Sequence, residues 1–343
     1  MTLSAPPRPR GSVIALRVTG LLVALAALLV VILLSIAVGA KPIPLSGVVH
    51  ALFDGLDTTN GVVVLDLRLP RTLLGVAIGA ALAMAGVLMQ ALTRNPLADP
   101  GILGVNIGAS TAVVLAIWIW RFTDLTSYVW FAFVGAGVAS VLVYLLGSRG
   151  RSGATPVRLA LAGTAVTAVL GSLISFVTLL NPAVFDQFRF WGVGSVAGVR
   201  MSIVWQVLPF LAAGALLAFG LSGALNALAL GDETARALGN SVTRTRVLGA
   251  LAVTLLCGAA TAAAGPIGFI GLTVPHIARM VTGPDHRWLI PYSLVLGPIL
   301  LLGADVVGRV VARPGEIQVG IVTAVVGAPV FVALVRRRRI PEL

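Results

Sequence analysis

The sequence predicts an all-α, polytopic integral membrane protein, and three observations carry that prediction. Of 343 residues, 58% are hydrophobic and only 10% are charged, with a mean hydropathy of +1.03. A soluble chain of this size has no means of keeping so much apolar surface out of water. The apolar residues also fall into runs of roughly membrane-crossing length, bounded by charge or by Gly and Pro. Finally, basic residues sort between alternate connections, as they do when arginine fixes topology.

Ten spans follow in chain order. The first, 13–38, comes after Arg8 and Arg10 and contains Arg17. It is too long for a signal-peptide core and is expected to be retained. Span two, 69–92, is crowded with small residues (Gly75, Gly79, Ala81, Ala83, Ala85, Gly86), a pattern that lets helices approach closely in lipid. Spans three to six cover 102–120, 129–146, 159–180 and 202–221, with Gly135 and Gly137 in the fourth. Spans seven and eight, 247–264 and 267–281, are parted by Gly265-Pro266, and the eighth is short for a perpendicular crossing and holds Pro275. Spans nine and ten cover 289–311 and 317–335. A transmembrane domain over 13–335 is thus flanked by an N-terminal tail, 1–12, and a basic C-terminal tail, 336–343.

With the N-terminus inside, the inner segments hold Arg8, Arg10, Arg17, Arg94, Arg149, Arg151, Arg158, Arg236, Arg244, Arg246, Arg279, Arg287 and residues 336–339, sixteen of the 24 basic residues. The acidic residues Asp54, Asp57, Asp66, Asp124, Asp186 and Glu316 fall outside. Both termini are therefore expected in the cytoplasm. The net charge of +12 reads as topology signal, because the arginines are scattered between apolar runs and form no nucleic-acid-binding patch.

Between spans six and seven lies a polar island, 225–239, reading Leu225-Asn-Ala-Leu-Ala-Leu-Gly-Asp-Glu-Thr-Ala-Arg-Ala-Leu-Gly239. Leu225, Leu228 and Ala229 share one helical face. Gly231 breaks the turn, Asp232 stands at an N-cap position, Glu233 lies in the first turn, Arg236 near the end, and Gly239 at a C′ position. The pattern predicts two very short helices joined at a bend. It suits either a surface turn or a knob that docks into a groove on another protein.

Several chemistries lack a foothold. Lys41 is the only lysine and no Gly-rich phosphate loop surrounds it, so ATP hydrolysis of the Walker type belongs to another subunit if it is used at all. Cys257 stands alone in an apolar run, which excludes an internal disulfide. His50, His276 and His286 share no metal-like spacing with it. Asp305 is the only acidic residue inside a span, and Arg309 lies one turn further on, reading as a satisfied helix-face pair more readily than as a proton relay. No nucleophile–base or paired-carboxylate arrangement is visible, so the chain is expected not to be an enzyme. Two segments, 95–104 and 265–275, are interrupted alike and hint at an inverted repeat.

Read together, several strings resemble the permease family of ATP-driven importers for iron–siderophores, haem and vitamin B12. They are Arg68-Leu-Pro-Arg-Thr72, Gly86-Val-Leu-Met-Gln-Ala91, Asn95-Pro-Leu-Ala-Asp-Pro-Gly-Ile-Leu-Gly104, Ala229-Leu-Gly-Asp-Glu-Thr-Ala-Arg-Ala-Leu-Gly239, Gly265-Pro-Ile-Gly-Phe-Ile-Gly-Leu272 with Pro275-His276, and Gly320-Ile-Val-Thr-Ala-Val-Val-Gly-Ala-Pro329. Their order and separations cover about residues 60 to 335.

The resemblance implies a multi-pass protein of the cytoplasmic (inner) membrane. Its partners would be a second permease subunit, identical or related, two cytoplasmic ATPases that carry ATP and Mg, and an extracytoplasmic binding protein. The cargo would be a bulky metal chelate, foremost an iron(III)-siderophore. No cofactor in this chain and no nucleic-acid partner are implied. The polar island becomes the ATPase-coupling element, with Leu228, Leu230 and Leu238 filling a cleft and Asp232, Glu233 and Arg236 making its polar contacts. Arg68, Arg71 and Arg309, basic residues on the disfavoured side, become docking points for glutamates of the binding protein, with lipid-headgroup anchoring as the alternative. Asn95 and Leu97 match the cytoplasmic gate; its second segment holds Thr155, with Pro156 and Val157 departing from the small hydroxyl residues of relatives. Gly163, Thr164, Thr167 and Ser175 would line the path at the dimer seam. A stand-alone secondary transporter driven by an ion gradient is the competing expectation.

Overall fold

The computed structural model describes residues 10–39, 43–44, 46–48, 51, 59–122, 125–149 and 155–336. The expectations placed on Arg8, Lys41, His50, Asp54, Asp57, Asp124, Arg151 and the tail residues 1–9 and 337–343 lie outside the described residues. Every regular element described is helical.

α1 (Arg10–Ala37) is followed by a single helical turn, Thr59–Val62, a π-helical turn, Val63–Arg68, and α2 (Leu69–Thr93). The π turn has a cause in the sequence. Pro70 has no N–H to give to the carbonyl four residues back, and the Leu69 N–H reaches over five residues to Val64 O. The rod therefore begins about three turns before the expected start at residue 69, which carries Arg68 into the interior.

A 3₁₀ turn, Pro100–Leu103, leads into α3 (Val105–Trp120), followed by α4 (Leu125–Ser148) and α5 (Pro156–Leu180). Pro156 opens α5 in the first turn, where its missing N–H costs nothing. α6 (Pro182–Gly192), which the sequence reading missed, is a short helix before α7 (Met201–Ala229). α7 runs eight residues beyond the expected end at 221, since nothing before Gly231 breaks it. The polar island is consequently the end of a long helix plus one six-residue helix, α8 (Asp232–Ala237), and not two short helices. α9 (Val242–Ala264), α10 (Ile270–Thr282), α11 (His286–Val311) and α12 (Val319–Arg336) complete the chain.

Among the described residues, seven helices are long and apolar enough to cross a membrane: Ile14–Ala37, Val63–Thr93, Thr126–Ser148, Val157–Leu180, Met201–Ala229, Val242–Ala264 and His286–Val311. The other three of the ten expected spans, 102–120, 267–281 and 317–335, form the shorter helices α3, α10 and α12. Left-handed residues shorten the first two. Gly104 at φ +74° holds the chain out of helix before α3, and Gly265 and Phe269 at +73° and +67° do so before α10.

α2 is the axis of the bundle, buried over most of its length and packed against α11, α9, α10 and α7. Its small residues explain the position. A Cβ added at Gly86 would overlap the Gly271 carbonyl of α10, and one at Gly79 would overlap the backbone of Gly297 and Pro298 in α11. The two broken segments meet on this axis: Gly271 lies against Pro100, and His276 Nε2 is 2.9 Å from Pro96 O. By contrast α1 and α5 expose most of their surface.

Candidate functional site

Four arrangements hold the residues singled out in the sequence. At one end of the bundle, Gly231 takes the N-cap position of α8 at φ +112°, a conformation suited to glycine, and Asp232 enters the first turn in place of the expected cap. Gly239, at φ +80°, closes α8 as predicted. Its N–H donates to Arg236 O at 2.9 Å and the Asn240 N–H to Ala235 O at 2.9 Å, a Schellman pair. Leu228 is 1% exposed, packed with Ala227, Ala235 and Val242 under Leu92, whereas Leu230 is 65% exposed. Leu228 is thus corrected from a surface contact to the small core that holds the knob in shape.

Asp232 is corrected too. It is taken up internally, ion-paired to Arg94 and accepting from Arg246 Nη2 at 3.0 Å. The outward-facing members of the predicted set are Leu230, Glu233, Arg236 and Leu238.

The segment after α2 adjoins this knob. Arg94 adopts φ +48°, its N–H donating to Ala91 O, and Asn95 N–H donates to Gln90 O at 3.1 Å. Asn95 Oδ1 then accepts from Leu97 N at 2.9 Å, an Asx turn. Asp99 Oδ1 accepts from Gly101 N at 2.8 Å and starts the 3₁₀ turn. Asn95 is exposed and Leu97 half-buried. Thr155 caps α5 through Oγ1, which accepts from Arg158 N at 3.4 Å, and Pro156 follows in the first turn.

On α5, Thr164, Thr167 and Ser175 are exposed on a narrow face of small residues. Gly163 is not with them: it is buried, with the Ile102 carbonyl where a Cβ would stand. Its role is to seat α5 on the 3₁₀ turn, which corrects its placement on the path.

At the opposite end of α2 lies a buried cluster. Asp305 Oδ1 accepts from Arg71 Nη2 at 2.7 Å and Asp305 Oδ2 pairs with Arg309 Nη2 at 2.8 Å, while Arg71 Nη1 reaches Glu316 Oε2 at 2.7 Å. Arg309 Nη1 also donates to Ser35 O and Val38 O, each at 2.8 Å, and Arg68 Nη1 to Ile36 O and Ala37 O at 2.8 and 2.7 Å. Arg68, Arg71 and Arg309 were expected to project into the outer aqueous phase. All three are buried instead, because Asp305, Glu316 and the last carbonyls of α1 satisfy them. Asp305 and Arg309 do form the expected pair one turn apart. Sequence reasoning missed Arg94, His276 and Glu316 as members of these sites because their partners stand 138, 180 and 245 residues away, and Arg246 because Asp232, 14 residues before it, lies across the turn between α8 and α9, where helical spacing gives no pairing.

Among the described residues no group of three His, Cys, Asp or Glu side chains stands close enough to hold a metal ion. What these features define is a polytopic helical membrane protein with an exposed, rigidly supported knob beside a turn that interrupts its central helices: the build of a transport permease. The chain belongs to the FecCD transport family, whose model matches residues 27–337.

It is 50% identical over 325 residues to the ferric enterobactin transport system permease protein FepD of Escherichia coli, covering 94% of this chain and 96% of that protein. It is 39% identical over 281 residues to the hemin transport system permease protein HmuU of Yersinia pestis, covering 80% and 83%. A solved metal-chelate type ABC transporter in an inward-facing conformation matches with a TM-score of 0.81 at 27% identity, covering 92% of this chain and 98% of that one. The chain is a permease subunit of the ABC importer class for iron chelates.

Proposed function

We propose that this chain forms half of the translocation path for an iron(III)-siderophore, paired with a second permease subunit in the cytoplasmic membrane. In this reading ten helices cross, the three short ones included, with both termini inside. An extracytoplasmic binding protein delivers the chelate, and two cytoplasmic ATPases holding ATP and Mg drive the cycle. The observation that carries the reading is the 50% identity to a ferric enterobactin permease along 94% of the chain.

The geometry supports particular roles within it. Leu230, Glu233, Arg236 and Leu238 are exposed on a knob fixed by its own small core and a Schellman closure, the build expected of an element that seats in a cleft on an ATPase. Asn95, Leu97, Thr155 and Pro156 serve as the cytoplasmic gate, and Thr164, Thr167 and Ser175 face the path. Weakly polar walls let a bulky chelate pass without tight binding.

The test is reconstitution of this chain in vesicles with a partner ATPase and an extracytoplasmic binding protein for the chelate. Uptake of ferric enterobactin should require ATP and the binding protein. Uptake that proceeds without an ATPase and collapses with a protonophore would overturn the reading. Leu97→Ala should raise nucleotide-independent leak from loaded vesicles if the gate is placed correctly.

A further inference from the structure

A groove of about 450 Å³ runs between α4 and α9, which pack against each other. Gly137, Val141 and Tyr144 line its α4 wall, and Val247, Leu251 and Leu255 its α9 wall. Both sets recur at three- and four-residue steps, so each occupies one face of its helix. No charged side chain is among the described residues that line it. Val141 is 59% exposed and Leu251 47%, so the groove opens on the flank of the bundle, where a bilayer surrounds it. The helix that bears the small-residue face, α5, meets α4 elsewhere, with Leu159 against Gly147.

One end of the groove is basic. Arg244 precedes Val247 by three residues and continues the α9 stripe by one turn, and Arg149 follows directly on Ser148, the last residue of α4. Both arginines are exposed, and among the described residues neither is ion-paired. They stand at the same end, because Tyr144 and Arg246 line one small cavity that sets the end of α4 level with the start of α9. That end also carries α8, since Arg246 holds Asp232. Apolar fit alone selects no ligand here, because bulk lipid is as apolar as the groove. Two uncompensated guanidinium groups at its mouth do select: they match a phosphate that arrives attached to an apolar chain.

We propose that this groove is a site for one anionic glycerophospholipid from the leaflet on the α8 side, its acyl chain lying between α4 and α9 and its phosphate held by Arg149 and Arg244. The site is independent of what the chain transports. Leu103 also lines the groove, so a seated chain braces the 3₁₀ turn between α2 and α3 from behind.

The probe is dioleoyl phosphatidylglycerol, with dioleoyl phosphatidylcholine as the zwitterionic control, titrated against the delipidated full chain in detergent and read by native mass spectrometry. The parent should retain one phosphatidylglycerol in preference to phosphatidylcholine. Arg244→Gln should weaken that retention about fivefold, the scale of one basic side chain at a membrane surface. Arg149→Gln together with Arg244→Gln should bring it to the phosphatidylcholine level. Gly137→Leu tests the slot itself. A Cβ at Gly137 meets nothing within 4 Å, so the larger side chain enters the groove without disturbing the helices. It should abolish the preference while leaving the unfolding temperature of the lipid-free protein as it was. Gly220→Leu, at another open position, should retain the lipid like the parent. Equal retention of the two lipids by the parent, or parental retention in Gly137→Leu, overturns the site. A Gly137→Leu protein that instead loses self-association shows that a second copy covers the groove, and overturns it as well.

Discussion

Arg94 and Asp232 are ion-paired across 138 residues of sequence, and the pair joins the turn that ends α2 to the first turn of α8. Arg94 Nε also donates to Leu228 O at 3.1 Å, and Arg246 from α9 approaches the same carboxylate at 3.0 Å. One aspartate thus ties together the segment read as the gate, the end of α7 and the knob. A push on α8 has a direct mechanical route to Asn95 and Leu97.

Asp232→Asn tests that route. The pairs are partly exposed, so each is worth on the order of 1 kcal/mol or less, and the unfolding temperature should move by only a few degrees. Coupling should suffer more than stability. Reconstituted complexes should keep hydrolysing ATP while chelate moved per ATP falls at least about threefold, since the knob would shift without carrying the gate. An unchanged ratio of transport to hydrolysis would show that the carboxylate merely shapes the loop.

Leu228 and Leu230 are two residues apart and should respond in opposite ways. Leu228→Asp buries an unpaired carboxylate in the core under Leu92, a change costing several kcal/mol, and should lower the yield of monodisperse protein. Leu230→Asp alters only an exposed side chain. It should leave yield and unfolding temperature as they were while abolishing stimulation of the partner ATPase. Size-exclusion profiles beside ATPase assays separate the two, and a Leu230→Asp protein that still couples would move the contact elsewhere on the island.

Helix packing around α2 makes a third prediction. Gly86→Ala places a methyl group where the Gly271 carbonyl stands, and neither backbone can yield without parting α2 from α10. The unfolding temperature in detergent should fall by several degrees, whereas Gly220→Ala, with open space around its Cβ position, should leave it unchanged. Equal melts would mean that α10 shifts freely.

What was legible in the sequence follows from the range of the interactions concerned. Apolar run length located the long helices because burial in lipid demands it locally, and Gly239 was readable because a left-handed C′ residue is a local requirement. The start of the second rod was misplaced because a π turn before Pro70 extends the helix through residues that read as a loop. The knob was recognised, but Leu228 and Asp232 were assigned outward because helical spacing says which residues share a face and not what covers that face. Arg68 and Arg71 looked like free outer charges for the same reason: Asp305 and Glu316 neutralise Arg71 from more than 200 residues further along, and the last carbonyls of α1, which hold Arg68 and Arg309, carry no sequence signature at all.

The cluster they form makes the last prediction. Asp305 is fully buried and accepts from two arginines at once, at 2.7 and 2.8 Å. Removing one member of a buried ion network leaves an uncompensated charge, which typically costs about 3–5 kcal/mol, whereas exchanging a whole pair for apolar side chains is far milder. Asp305→Leu should therefore melt well below the parent, because Arg71 keeps only Glu316 and Arg309 keeps only neutral oxygens. Adding Arg309→Met to it should restore part of the loss. The recovery should be incomplete, since Arg309 also holds Ser35 O and Val38 O and with them the end of α1. Thermal unfolding of the two variants beside the parent measures both effects. If the double variant melts at or below the single one, holding α1 outweighs the burial of unpaired charge, and the cluster acts chiefly as the clasp of that helix.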